Sequence, residues 1–197
     1  MNQRYLNRVA LAGAALQVVY GLLACVFPYP RITDPPFELV WALANVGMIA
    51  NIAAWLSLGV ARPRWLAAFG GGLAILGHLV RIVVSGVIIA RPHATVDTAV
   101  VSTIGGMFIG IALLGIATLR GKRMTGWSAW APLLVLAGGL VAAPFYSFDK
   151  VVHFILLGLL WGSAWLFMAW TGYRTAVAGS RSPVPVGEPL LDDAGRI

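Results

Sequence analysis

The stretch FELVWALANVGMIANIAAWLSLGVA, residues 37–61, holds one acid and no basic residue. A run of this length and apolarity has two homes: the core of a large soluble protein, or a lipid bilayer. Five more such runs share a chain of 197 residues in which 59% are hydrophobic and 11% charged. A soluble domain of that size lacks the interior to hide them, whereas a helix of roughly 20 apolar residues spans a bilayer. In lipid the backbone must satisfy its own hydrogen bonds, which points to helices. The expected fold is therefore all-α: a polytopic membrane protein with a six-transmembrane-helix bundle.

The expected spans are Asn7–Phe27, Phe37–Ala61, Trp65–Ala90, Asp97–Arg120, Trp127–Pro144 and Asp149–Tyr173. PYPRITDPP between the first two cannot continue a helix, because proline lacks the N–H and locks its own backbone angle. Residues 1–174 form the membrane domain in this reading. Residues 175–197 mix Pro, Gly, Ser and charge and read as a disordered cytoplasmic tail.

Basic residues set the expected orientation. Arg4, Arg8, Arg62, Arg64, Arg120, Lys122, Arg123, Arg174, Arg181 and Arg196 fall on one side of the six-span scheme; Arg31, Arg91 and Lys150 fall on the other. The richer side belongs in the cytoplasm, so both termini are expected there and the protein in the cell membrane. The net charge of +7 is thereby used for topology, and no basic helix with interleaved aromatics points to nucleic acid. Trp65, Trp127 and Trp170 are placed at the inner interface, where amphipathic rings collect. The lone Cys25 excludes an internal disulfide. Leu22-Leu23-Ala24-Cys25 resembles a bacterial lipobox, but leucine before the small residue fits poorly and the apolar run is long, so an uncleaved first span is expected.

Polar residues inside the spans carry whatever chemistry there is. Asp34, Glu38, Asp97 and Asp149 all sit where a span enters from the outer side, and a carboxylate there can cap free N–H groups and meet the positive helix end. Ser147 is expected to cap the last span in the same way. His93 with Asp97, and Asp149 with His153, are four apart and share a helix face, so each pair could hydrogen-bond or co-ligate a metal. No HExxH or CxxC pattern supports a metal, and two histidines at different depths do not make a haem site. No metal and no cofactor is expected.

His78 and Arg81 differ in kind. Arg81 lies about 13 Å below the outer end of its helix. An arginine at that depth costs at least about 2.5 kcal/mol unless paired or hydrated. It should face the bundle interior, with Ser85 on its face and Glu38, Asn45 or Asp149 as partners. Small pairs, Gly106 with Gly110 and Gly158 with Gly162, provide close helix packing, and in a minority reading a homo-oligomer seam.

Two resemblances bear on role. FPYPRITDPPFELVWALANVG, Phe27 to Gly47, resembles the first loop and second span of six-span DRAM/Sfk-type membrane proteins, with Ile32-Thr33-Asp34 where that family has Ile-Ser-Asp. This implies a membrane-lipid or membrane-stress role without an established reaction. Asp149-Lys150-Val-Val-His153-Phe154 is similar to the DKxxHF motif of VanZ-like proteins, which implies an envelope-linked role.

The expected function is binding. An outward-facing polar cleft lined by Glu38, Asn45, His78, Arg81, Asp97, Asp149 and His153 would take a lipid headgroup, an amphiphile or a small anion, with membrane lipid as the partner. Two alternatives stand beside it. One is an intramembrane enzyme acting on a lipid or isoprenoid, with Asp149 or Glu38 as acid and His153 as base partner. The other is a structural or assembly subunit in which the polar residues only lock the bundle.

Overall fold

The computed structural model describes residues 3–91 and 97–181, and among these the side chains of all but 97–103, 180 and 181. Helix α1 spans Gln3–Val26, α2 Pro35–Ser57, α3 Arg64–Ala90, α4 Asp97–Gly121 and α5 Trp127–Ala142. A single turn, α6 at Phe145–Phe148, leads into α7 at Lys150–Leu156 and α8 at Gly162–Arg181, joined by a π turn at Leu157–Trp161. Among the described residues six helical stretches are long and apolar enough to cross a membrane, the last running Lys150–Gly179. The chain is an all-α, multi-pass membrane protein.

Helices adjacent in sequence pack as neighbours, and α1 closes the arrangement against α7, the π turn and α8. α2 also touches α8, so the second span is central. The polarity is inside out relative to a soluble protein. Leu39, Leu43, Phe69, Leu76 and Val83 point outward, while Gln17, Glu38, Asn45, Asn51, His78, Arg81 and Ser85 are buried. Lipid is as apolar as leucine, so packing and interhelical hydrogen bonds hold such a bundle together.

Glycine provides the closest approaches. Gly13 of α1 lies against Gly47 of α2, Gly21 of α1 against Gly158 of the π turn, and Gly110 of α4 against Gly70 and Ala74 of α3; a methyl at any of these glycines would strike backbone. Gly162 lies against Gln17 and Val18. Gly110, Gly158 and Gly162 are thus used within the chain; Gly106 has open space beyond Leu73.

Local boundaries follow the local chemistry. α2 starts with Pro35 and Pro36 in its first turn, where a missing N–H costs nothing, and Asp34 precedes them as N-cap residue. The second span ends at Ser57, before the expected Ala61. Ser147 belongs to the α6 turn and does not cap the last span; Asp149 does. α8 continues to Arg181, past the boundary expected at 174, and the rest of the expected tail lies outside the described residues.

Candidate functional site: two polar layers inside the bundle

The outer layer is built by α2 and α3. Glu38 sits one turn into α2 and Arg81 nine residues before the end of α3. Arg81 Nη2 donates to Glu38 Oε2 at 3.1 Å and to Oε1 at 3.3 Å, while Nη1 donates to Ser85 Oγ at 2.7 Å. Ser85 Oγ in turn donates to Glu38 Oε2 at 2.9 Å. The guanidinium carbon lies 5.2 Å from the ring centre of Trp41, a cation–π distance. The exposures of Glu38, Arg81 and Ser85 are 2%, 9% and 0%. A charge that would be expensive alone is here matched by an opposite charge and further hydrogen bonds, the condition under which a buried pair persists.

Of the partners expected for Arg81, Glu38 is realised. Asn45 instead serves His78, and Asp149 is occupied elsewhere. Glu38 is more than a first-turn acid meeting the helix dipole, because its carboxylate is buried between helices. The layer is also closed: Ile32 of the loop between α1 and α2 is fully buried, and its carbonyl accepts from the buried Tyr20 hydroxyl at 3.4 Å.

The inner layer lies about two turns further along α2, at Asn45, and about one turn along α3, at His78. Asn45 Nδ2 donates to the Trp41 carbonyl of its own helix at 2.8 Å. That leaves Asn45 Oδ1 to accept from His78 Nδ1 at 2.7 Å. With its proton on Nδ1, a neutral His78 presents a bare lone pair at Nε2. Nε2 is buried and has no protein partner. The imidazole centre is 5.4 Å from Trp165, edge to face, and 6.4 Å from Trp161, whose rings are 5.9 Å apart. The indole N–H groups of Trp161 and Trp165 are likewise buried without partners. One acceptor and two donors without a protein partner therefore surround a single ring cluster, where native proteins pair nearly every such group with protein or ordered water.

The π turn belongs to this layer, since Trp161 ends it and Trp165 follows four residues later. A π turn inserts one residue into the helical ladder and is frequently found at functional sites. Gln17 Nε2 from α1 donates to the Leu157 carbonyl at 3.2 Å, and Gln17 Oε1 is a further buried, unpartnered atom.

The side chains of Asp149 and His153 do not meet, and the expectation that they pair is corrected. Asp149 Oδ1 accepts the N–H groups of Val151 at 3.0 Å and Val152 at 3.1 Å, capping α7 from an exposed position. His153 turns inward and donates Nδ1–H to the Ala142 carbonyl at 2.9 Å. Ala142 ends α5, so that carbonyl has no helical partner, and the histidine ties the last span to the end of the fifth. The acid–base pair on which an enzyme reading rested is therefore not brought together. Lys150 reaches over the Tyr29 ring at 4.6 Å and donates to its hydroxyl at 3.3 Å, binding the last span to the loop between α1 and α2. His93, and the side chain of Asp97, lie outside the described residues. Among the described residues no three His, Cys, Asp or Glu gather as metal ligands.

Sequence reasoning named Glu38, Asn45, His78, Arg81 and Ser85 but missed Trp41, Trp161, Trp165 and Gln17. Two signals were available: tryptophans four apart share one helix face, and glutamine inside an apolar span needs an interior partner. A second feature lies at the opposite, base-rich end, where α5 and α8 border a half-open cavity of about 370 Å³ beside Trp127, Trp170 and Arg174. No family model, curated protein or solved structure matches the chain.

Proposed function

We propose that this chain is a membrane receptor or carrier for an amphiphile with an uncharged, hydrogen-bonding head, held inside the bundle at the inner polar layer. The supporting observation is the set of unsatisfied nitrogens around His78. Leaving a buried donor or acceptor unpaired costs about 1–3 kcal/mol each. A hydroxyl or amide can donate to His78 Nε2 and accept from an indole N–H, which relieves that cost. The head is uncharged because the interior has no charge to spare: Glu38 already balances Arg81. An anionic head would have to displace Glu38 from Arg81 and leave a carboxylate stranded. The small-anion version of the expected cleft is therefore set aside.

Admission requires the outer loop around Ile32 to lift, since the outer layer is shut. The host is the cell membrane, with both termini cytoplasmic, on the strength of the asymmetry in basic residues. The lipid-linked role implied by the likeness of Phe27 to Gly47 to DRAM/Sfk-type proteins agrees with this reading. A second reading, that the polar residues only lock the bundle, is favoured by the complete pairing of Arg81.

Thermal unfolding in detergent separates the two. Dodecanol and monoolein, compared with dodecane and with dodecanoate at neutral pH, should raise the parent Tm, and His78→Phe should abolish the rise. Equal responses to dodecanol and dodecane, or an undiminished response in His78→Phe, would leave only the structural reading.

A further inference from the structure

The base-rich end of the molecule carries a second site, independent of the His78 layer. α8 turns Phe167, Trp170, Thr171, Arg174 and Thr175 toward one side, a spacing of three and four that defines one helix face. The start of α5, at Trp127 and Ser128, faces them, and the space between measures about 370 Å³. That is within the range of ordinary small-ligand sites. Its walls are of two kinds. Trp127 and Trp170 are 73% and 49% exposed, and with Phe167 they form an apolar side at the level where membrane tryptophans sit. Arg174 forms the other side and is exposed, with no acidic partner among the described residues.

We infer that this cavity binds the phosphodiester headgroup of one anionic phospholipid of the adjoining leaflet. Arg174 would pair with the phosphate, since a guanidinium matches phosphate oxygens in two-point geometry. The indoles would cover the glycerol and the first acyl carbons, a task suited to rings with an apolar body and a polar edge. Arg62, Arg64, Arg120, Lys122 and Arg123 belong to the same end of the bundle by the six-span order and add a general attraction for anionic lipid. They do not line the cavity. The inference is thus a defined site over and above diffuse surface charge, and the two can be separated.

The test is native mass spectrometry of the purified chain in detergent, titrated with dioleoylphosphatidylglycerol or dioleoylphosphatidylcholine. The parent should retain one phosphatidylglycerol in preference to phosphatidylcholine. Arg174→Gln should lower phosphatidylglycerol retention about tenfold or more, the loss of a charge-assisted phosphate bond at a defined site, and leave phosphatidylcholine unchanged. Arg62→Gln, a half-buried charge outside the cavity, should lower phosphatidylglycerol retention less than Arg174→Gln does, by its share of the diffuse attraction alone, and leave phosphatidylcholine unchanged. Trp170→Ala should weaken retention of both lipids. An equal loss in Arg62→Gln and Arg174→Gln would reduce the effect to diffuse charge and overturn the site. Absence of preference in the parent would overturn it as well. Displacement by millimolar glycerol phosphate would show that the cavity serves a soluble phosphate ester, and would overturn the lipid assignment.

Discussion

Arg81 of α3 and Glu38 of α2 form a buried ion pair, Nη2 to Oε2 at 3.1 Å, with the Ser85 hydroxyl bonded to both. The pair ties two adjacent spans at a depth where neither charge could stand alone. Removing one partner strands the other, and breaking a buried pair costs about 3–5 kcal/mol. Arg81→Leu and Glu38→Gln should therefore each lower detergent stability strongly. The double variant should be less damaged than Arg81→Leu alone, because no unpaired charge remains. Unfolding followed by circular dichroism checks this; additive losses would mean that the two residues act separately.

Asp149 and His153 offer the opposite case. One caps α7 and the other holds the end of α5, so they share no partner. Asp149→Ala should cost about 1 kcal/mol, as loss of an N-cap does. His153→Phe should cost about 1 kcal/mol for its bond to the Ala142 carbonyl. The double variant should equal the sum within about 0.5 kcal/mol. A coupling larger than that would restore the pairing that the helix spacing alone had pointed to.

The glycine crossings give a prediction with an internal control. Gly158→Ala would push a methyl into the Gly21 backbone, which cannot move away without shifting α1. Overpacking of this kind costs about 1–3 kcal/mol or more. Gly72→Ala meets nothing within 4 Å and should be tolerated. Equal stability of the two variants, measured by the same unfolding assay, would contradict the close α1 crossing.

The orientation assigned from charge is open to direct measurement. In a Cys25→Ala background, Thr125→Cys and Arg31→Cys should label from opposite sides of intact spheroplasts, with Arg31→Cys reached from outside. Labelling of both from outside would refute the six-span topology.

How far the fold and site could be read beforehand follows from the physics of lipid. Six apolar runs and the punctuation at PYPRITDPP announced the helices, because a bilayer demands length and apolarity in an unbroken stretch. Arg81 announced its own burial, and the seven-residue spacing of Glu38 and Asn45 placed both on one face of α2. The pairing within that face was less accessible. Arg81 took Glu38 and His78 took Asn45, a choice set by the relative heights of α2 and α3, which apolarity does not encode. The π turn was illegible for the same reason: one extra residue in a ladder leaves composition unchanged. Helical spacing put Asp149 near His153, yet a free N–H cluster and a free carbonyl drew the two side chains apart.

The central claim is that an amphiphile's polar head occupies the layer formed by His78, Trp161 and Trp165. A long-chain alcohol carrying a diazirine beside its hydroxyl, photolysed with the purified chain and mapped by peptide mass spectrometry, tests it most directly. The account predicts saturable labelling within residues 157–165, competed by unlabelled alcohol and lost in His78→Phe. Non-saturable labelling confined to outward residues such as Phe69 and Val83 would contradict it.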